Sequence, residues 1–529
     1  MFQKGAIFGL LLCLFLSAHA QNRWSKVYYQ ESDAIGTAIS DSYDPGILVA
    51  GKHGHNSSNY AWLVKTDVNG DLLWEKTIGD PSSNIKISDI SQNQYGDLFI
   101  AGLTGYYNNI YYDPLVMKFN SCGEKEWCKV FYTDWNNSAK HIVSTRDGGC
   151  VAVITYMKED LQDDRICLAK FSSEGSLLWE YCYNSPDTSL NNEEPYDLII
   201  TPDLGFLISG RCYYQDPLNP NQYWPKAYFI KVDSSGMFEW ETIVNKEVVD
   251  VGGHGWNSVL NMDSIYYYSS ISQYYYSSNY EAAALLKMNL YGEIVGIYEL
   301  AEPSDYGKIV ELLLISDSTF AASAVWGNQW VALPPKAVII DTLGTIIYQR
   351  ELIDNEMMSY TCKTFDNKLM FLTNKYEESS NWYDTYLVKL NEELIDDTIY
   401  SISFLYDTLC PTAILSDTIV QNACDVIVGI DERKDKFANH KQSMFSLYPN
   451  PATSFVNIQT HNDNDVKTFH FTVYDMFGRK QEEIQIPKGQ KEIQIGVSDY
   501  PQGIYVAVLR SERKMLDRKK FIVNHQAVY

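Results

Sequence analysis

Short apolar runs alternate with polar turns along most of this chain, and the apolar positions do not settle into a helical period. One kind of run starts on a turn and continues as a strand: DPGILVAG (44–51), YGDLFIAG (95–102), DGGCVAVIT (147–155) and DLGFLISG (203–210). A second kind is apolar on both sides of a lysine. Val64 and Thr66 flank Lys65, Met117 and Phe119 flank Lys118, Ala169 and Phe171 flank Lys170, and Ile230 and Val232 flank Lys231. Runs apolar on both faces belong to strands packed between neighbouring sheets. These second runs lead to turn glycines at Gly70, Gly123, Gly175, Gly236, Gly292 and Gly344, spaced 53, 52, 61, 56 and 52 residues apart. Trp74, Trp127, Trp179 and Trp240 each follow their glycine by four residues.

A repeat of this length means stacked units. Each unit reads as four short strands, and there are about seven units. The expected fold is therefore all-β: an approximately seven-bladed β-propeller. A glycine free to take positive φ closes the turn, and a tryptophan at fixed distance from it can fill the gap between adjacent blades. The segment WSKVYYQES (24–32) copies the tryptophan strand without the strands that should precede it. It is expected to join the last blade and close the ring. Because 24–32 and 395–404 could both belong to that blade, an eighth or an imperfect seventh blade stays open.

The pattern D-x-x-G-x-x-x-W resembles the tryptophan-docking repeat of quinoprotein propellers. In that family the motif docks blade on blade and does no chemistry itself. The calcium site and quinone-gripping residues of those enzymes have no counterpart here. SSEGSLLW (172–179) is similar to a sialidase Asp-box, but with Glu174 in place of the aspartate and one residue too many before the tryptophan.

Composition changes after Phe404. Residues 405–443 read as a linker, with the charged run DERKDK (431–436). Residues 444–529 then return to alternating strands, predicting a small C-terminal antiparallel β-sandwich. This last segment carries Tyr448-Pro449-Asn450-Pro451, then Gly478-Arg479, then Gly503-Ile504-Tyr505, then a basic end at Lys519-Lys520. These motifs, in this order, resemble the type A C-terminal sorting domain of the Bacteroidetes type IX secretion system. The resemblance implies passage through the general secretory route and then the type IX machinery. It also implies removal of the domain by a sortase-like peptidase, with the cargo attached to the surface or released.

The N-terminus agrees with export. Lys4 precedes a short apolar run, and Ala18-His19-Ala20 forms an A-x-A site that would leave Gln21 first. The domains expected are thus a signal peptide (1–20), propeller repeats (21–404), a linker (405–443) and a sorting domain (444–529). The run at 6–16 is too short to span a bilayer, and no transmembrane anchor is expected.

Charge narrows the partners. Of 42 Lys and Arg residues, 41 remain after Lys4 is removed, against 67 Asp and Glu, a net of −26. Residues 444–529 hold 11 basic and 9 acidic residues, so the rest of the mature chain carries −28. A body that acidic repels phosphate backbones, which argues against nucleic acid as a partner. Ten cysteines include Cys13 in the signal peptide, leaving nine. The disulfide expected is Cys410–Cys424, closing a short polar loop; Cys122–Cys128 is a second option, and the remaining cysteines read as small buried apolar residues.

Candidate chemistry is sparse. His53-Gly54-His55-Asn56 and Gly253-His254-Gly255-Trp256 fall short of a converging zinc ligand set, and Asp67 to Asp71 lacks the spacing of a calcium loop. No catalytic, cofactor-binding or metal-binding residue is assigned. The aromatic stretch IYYYSSISQYYYSSNY (265–280) reads first as strand core and second as a ligand-facing surface. The function expected is an exported binding module for glycan or protein. The alternative is a polysaccharide hydrolase or lyase with carboxylates in the central channel.

Overall fold

The computed structural model describes residues 25 to 525 except for 29–32, 56–57, 80–83, 106–110, 133–135, 159–162, 184, 186–188, 218, 220, 249, 278–279, 301–305, 328–333, 354–358, 379, 420–423, 429–444, 461–468, 476–479, 487–491 and 512–513. The signal residues Ala18, Ala20 and Gln21, the tryptophan Trp24 and the motif residues Gly478 and Arg479 lie outside the described residues. The chain divides into two units, 1–436 and 437–529.

The first unit is a seven-bladed β-propeller. Six blades of four antiparallel strands occupy 33–78, 84–132, 138–183, 190–243, 251–299 and 306–351. The seventh takes its three inner strands from Tyr360–Lys363, Leu369–Glu377 and Trp382–Leu390. Its outer strand is Lys26–Tyr28 from the N-terminus, antiparallel to the preceding strand with Val27 opposite Tyr386. The ring is thus closed by the first described strand, and residues 395–404 add no strand to it.

Packing follows from the double-faced third strands. Leu63 enters the core shared by blades 1 and 2, with Ile85, Ile100 and Met117. Its neighbour Val64 enters the core shared with blade 7, with Met370 and Leu387. Successive residues therefore serve successive interfaces. The lysine in this strand is buried in blades 1, 2, 4 and 7 and partly buried in blade 3, and in these five it is neutralised within its own blade. Lys65, 1% exposed, pairs with Asp44; Lys118 pairs with Asp97, Lys170 with Asp147, Lys231 with Asp203 and Lys389 with Asp366. A buried cation needs such a partner. In blade 5, Lys287 instead lies 4.0 Å over the Tyr266 ring.

The turn glycines have positive φ, from +69° at Gly123 to +79° at Gly175 and Gly292. Three tryptophans lie against the glycine of the following blade: Trp127 on Gly175, Trp179 on Gly236 and Trp240 on Gly292. Two of them donate their indole N–H across the same interface, Trp127 to the Ser173 carbonyl and Trp240 to the Leu290 carbonyl. Trp74 differs. It donates to Asp407, and Gly123 is covered by Lys76 and Ile414.

That difference comes from the stretch expected to be a linker. Residues 405–419 and 424–428 form a strap along the outer edges of blades 1 and 2. Asp417–Ile419 runs parallel to the outer strand of blade 1, and Asp425–Val428 parallel to that of blade 2. Asp407 joins Lys65, Asp417 pairs with Lys76, and Asp425 pairs with Lys129. The expected Cys410–Cys424 bridge is not formed. Cys410 bonds Cys122 and Cys424 bonds Cys128, so each cysteine of the strap is tied to blade 2. The correction has a physical reason: pairing with the blade edges sets the two strap cysteines beside different partners. Cys167 and Cys182, directly opposite on adjacent strands of blade 3, form a third disulfide. Cys150, Cys212 and Cys362 are buried thiols.

The second unit is a two-sheet sandwich. Phe445–Tyr448, Phe455–Thr460 and Glu492–Gly496 form one sheet, and Phe469–Asp475, Lys480–Ile486, Gly503–Ser511 and Lys514–Val523 form the other. Its core holds Phe445, Val456, Phe471, Ile495, Tyr505 and Phe521. Asn450 accepts from the Ile522 backbone N–H, which ties the proline-rich entry to the last strand.

Candidate functional site at the channel mouth

The first strand of each blade lines the central channel of a propeller. In six blades that strand carries a β-bulge at the same place, putting one extra residue toward the mouth: Thr37, Ser88, Lys140, Tyr196, Trp256 and Val310. Each is partly exposed. Bulges re-aim side chains and recur beside functional sites.

The residue after the bulge staples the next blade. Asp89 accepts from the Ile142 N–H at 2.9 Å, Asp197 from Ser258 at 2.7 Å and Asn257 from Leu312 at 2.9 Å; Glu311 accepts from Thr361. His141 occupies this position in blade 3. Its Nδ1 is 3.3 Å from Asp89 and 3.9 Å from Asp197. Burial opposes the imidazolium, but the carboxylates of Asp89, Asp197 and Glu311 outweigh it, and His141 titrates above its ordinary value. Burial, reinforced by the Asp197 and Asp89 charges, pushes Glu311 up to about 8. This belt is a chain of backbone acceptors before it is anything else. Among the described residues, no group of three or more His, Cys, Asp or Glu is arranged to hold a metal ion.

Above the belt, blades 4 to 6 build a layered cluster. Tyr196 stacks on Trp256, with ring centroids 4.9 Å apart and planes 24° apart. The Arg211 guanidinium lies 6.0 Å over Tyr196, and the Lys308 ammonium 5.0 Å over Trp256. The order around the mouth is cation, ring, ring, cation. Arg211 is set by its cross-strand partner Glu194, which accepts from Nη2 at 2.7 Å. The other Glu194 oxygen accepts from the Tyr196 hydroxyl at 3.0 Å. Arg211 Nη1 lies 3.0 Å from His254 Nε2. A guanidinium only donates, so His254 Nε2 accepts, and its proton sits on Nδ1 toward the Ser272 hydroxyl. Burial, with the Arg211 and Lys308 charges, pushes His254 down to about 4, consistent with a neutral ring.

Farther out on the same face, Tyr213, Trp224, Tyr274 and Tyr276 are all partly exposed. Tyr276 meets Trp224 at 4.4 Å and Tyr274 at 4.6 Å, and Arg211 lies 5.2 Å over Tyr213. The tyrosine-rich stretch thus divides in two. Tyr267 and Tyr268 are buried in separate interblade cores, whereas Tyr274 and Tyr276 belong to this surface.

Of the residues weighed in sequence, His254 and Trp256 fall in the cluster. Buried His53 contacts the Thr77 hydroxyl at 2.9 Å, and the His55 side chain lies outside the described residues. Lys140, Tyr196, Arg211 and Lys308 were missed. Aligning the repeats on their first strands would have shown Lys140, Tyr196 and Trp256 in one column. A separate 290 Å³ cavity at the seam is lined by Lys26, Tyr28, Gly70 and Glu75, and belongs to ring closure.

Comparison with known proteins agrees with this two-unit reading. Residues 446–524 match the secretion system C-terminal sorting domain, a span that contains all the motif residues from Tyr448 to Tyr505. The chain therefore carries a type IX address, which implies a Bacteroidetes origin, and is a secreted β-propeller protein. No curated relative is matched by the sequence. Similar solved structures include the Dos1 propeller (13% identity, 67% of this chain and 77% of that one, TM-score 0.38). Polysaccharide lyase Uly1 is similar at 10% identity, over 70% of this chain and 95% of that one, with a TM-score of 0.46. The β-propeller domain of the Trilobed protease from Pyrococcus furiosus, with an open velcro topology, is similar at 10% identity, 70% and 97% coverage and a TM-score of 0.40. No helix of the described residues is long and apolar enough to cross a membrane.

Proposed function

We propose that the propeller is a non-catalytic module that binds extracellular glycan on the face carrying the channel mouth, and that the sorting domain is removed by a sortase-like peptidase after delivery. One observation carries the glycan reading: the terrace of partly exposed aromatic residues running from Tyr196 and Trp256 out to Tyr213, Trp224, Tyr274 and Tyr276. Rings with an apolar body and a polar tip suit sugars, which offer C–H faces and hydroxyls together. The hydrolase or lyase reading has less support. Asp89, Asp197 and Glu311 are each engaged by a backbone N–H of the next blade, so they are committed to holding the ring.

Titration of the secreted chain with a panel of soluble polysaccharides tests the reading, with intrinsic tryptophan fluorescence and calorimetry as readouts. Trp224→Ala should weaken binding about tenfold, in line with the loss of one ring contact. Release of reducing or unsaturated ends from any polysaccharide would replace this reading with the enzymatic one. For delivery, deletion of residues 444–529 should leave the protein in the periplasm.

A further inference from the structure

The channel mouth has donors left over and its acceptors already used. Arg211 Nε and Trp256 Nε1 are buried and have no hydrogen-bond partner. Buried polar groups are almost always satisfied, so two unmet donors in one cluster call for an explanation. The nearby acceptors are turned to other donors: Glu194 takes Arg211 with one oxygen and Tyr196 with the other, His254 Nε2 takes Arg211 Nη1, and Glu281 bonds Ser272 and faces Lys308.

The stacking order adds a sign to this surplus. Tyr196 and Trp256 cover each other, and Arg211 and Lys308 come to them from blades 4 and 6. With the faces taken, a ligand in the mouth meets ring edges, and an aromatic edge is the positive part of its quadrupole. Glu194 balances Arg211 and Glu281 faces Lys308, so ring edges, indole N–H and guanidinium Nε–H give the wall an excess of hydrogen-bond donors rather than of net charge. Lys140, at the same bulge position in blade 3, continues it around the rim.

We propose that the mouth selects an anionic saccharide, one whose carboxylate or sulfate oxygens accept from Arg211 Nε–H and Trp256 Nε1–H beside the Lys308 ammonium. The assignment rests on the glycan reading of the aromatic terrace and adds the charge of the ligand to it. Nonspecific attraction does not produce the same selectivity, because the propeller body and its strap carry a strong net negative charge.

Two matched pairs of probes test it with the full secreted chain: polygalacturonate against its methyl ester, and dextran sulfate against dextran. The expected result is at least tenfold tighter binding of one or both charged members, weakening as salt is raised from 50 to 500 mM. The first pair identifies a carboxylate ligand and the second a sulfate ligand. Lys308→Gln should remove most of that preference, and Lys308→Arg should retain it. Trp224→Ala should weaken charged and neutral members alike. Arg211→Gln also frees Glu194, so Lys308 is the deciding position and thermal melting checks the fold of each variant. Equal binding of charged and neutral partners, with Trp224→Ala weakening both, would overturn the anionic assignment and leave the glycan reading standing. A charge preference unchanged in Lys308→Gln would move the site elsewhere and overturn it too. Failure to bind any of the four would count against both.

Discussion

Gly292→Ala is the sharpest probe of how the blades lock. Gly292 sits at φ +79°, and a Cβ added there would lie 2.5 Å from Trp240 Cε3 and 2.6 Å from Thr242 Oγ1. Two costs follow. Left-handed backbone costs a non-glycine residue about 1–2 kcal/mol. Forcing an atom into a closed contact adds about 1–3 kcal/mol. Gly148 separates them, because its φ is +80° while its nearest contact would be an ordinary 3.6 Å to Ser173 Cβ. Gly148→Ala should therefore cost about 1–2 kcal/mol and Gly292→Ala about 2–5 kcal/mol. Trp240→Ala removes the ring that the new methyl would strike. In that background the cost of Gly292→Ala should shrink toward that of Gly148→Ala, a coupling a double-mutant cycle reads directly. Urea unfolding of the whole chain, followed by far-UV circular dichroism, supplies the values, with a constant m-value as the check that only stability has changed. Equal costs for the two glycines, or no coupling to Trp240, would refute the claim that indole on glycine locks neighbouring blades.

Two further predictions concern the strap and the belt. A non-reducing peptide map should recover Cys122–Cys410 and Cys128–Cys424, and Cys424→Ser with Cys128→Ser should lower stability by about 3 kcal/mol, since with Cys122–Cys410 intact the second bridge closes a loop of only about 20 residues; recovery of a Cys410–Cys424 peptide would contradict the strap. Glu311, at about 8, and His141, raised, both keep protons in the folded state that the unfolded chain releases between about pH 4.3 and 6.5, so stability should fall as pH rises from 7 to 8.5. That window lies above the range in which His53 and His254, both pushed down to about 4, act in the opposite direction, and Glu311→Gln should flatten the fall in melting temperature.

The repeat was legible because its signal is local. Gly175 and Trp179 are four residues apart in one hairpin, and Lys65, with Val64 and Thr66 beside it, announces a strand apolar on both faces. The closing strand was legible as a copy of a strand already seen. The strap was not. Its bonds join residues 288 to 363 positions apart, and 405–428 has no alternation to mark its two short strands. Cys410 and Cys424 are near in sequence, which suggested a bridge between them. Nothing local shows that parallel pairing with blades 1 and 2 carries them to Cys122 and Cys128. The mouth was missed for another reason. Tyr196 and Trp256 are bulge residues, so they fall where the two-residue alternation breaks, and Arg211 and Lys308 reach them from different blades.

The bulge also explains how one scaffold can keep its ring while varying its mouth. One extra residue turns toward the mouth, and the next residue is left pointing along the ring, where Asp89, Asp197, Asn257 and Glu311 each find the N–H of the following blade. The staple and the mouth-facing side chain are therefore adjacent in sequence but separate in setting. Thr37, Ser88, Lys140, Tyr196, Trp256 and Val310 share one position in the repeat and almost nothing in chemistry. A column that varied under packing constraints alone would stay similar in size and polarity from blade to blade, as the third-strand lysines largely do. This column holds two hydroxyls, an ammonium, two aromatics and an aliphatic, with the aromatics and the ammonium gathered on blades 3 to 5. That asymmetry in an otherwise repetitive ring is what the proposed glycan site would require, and under that proposal the ligand would lie to one side of the mouth, against blades 4 and 5.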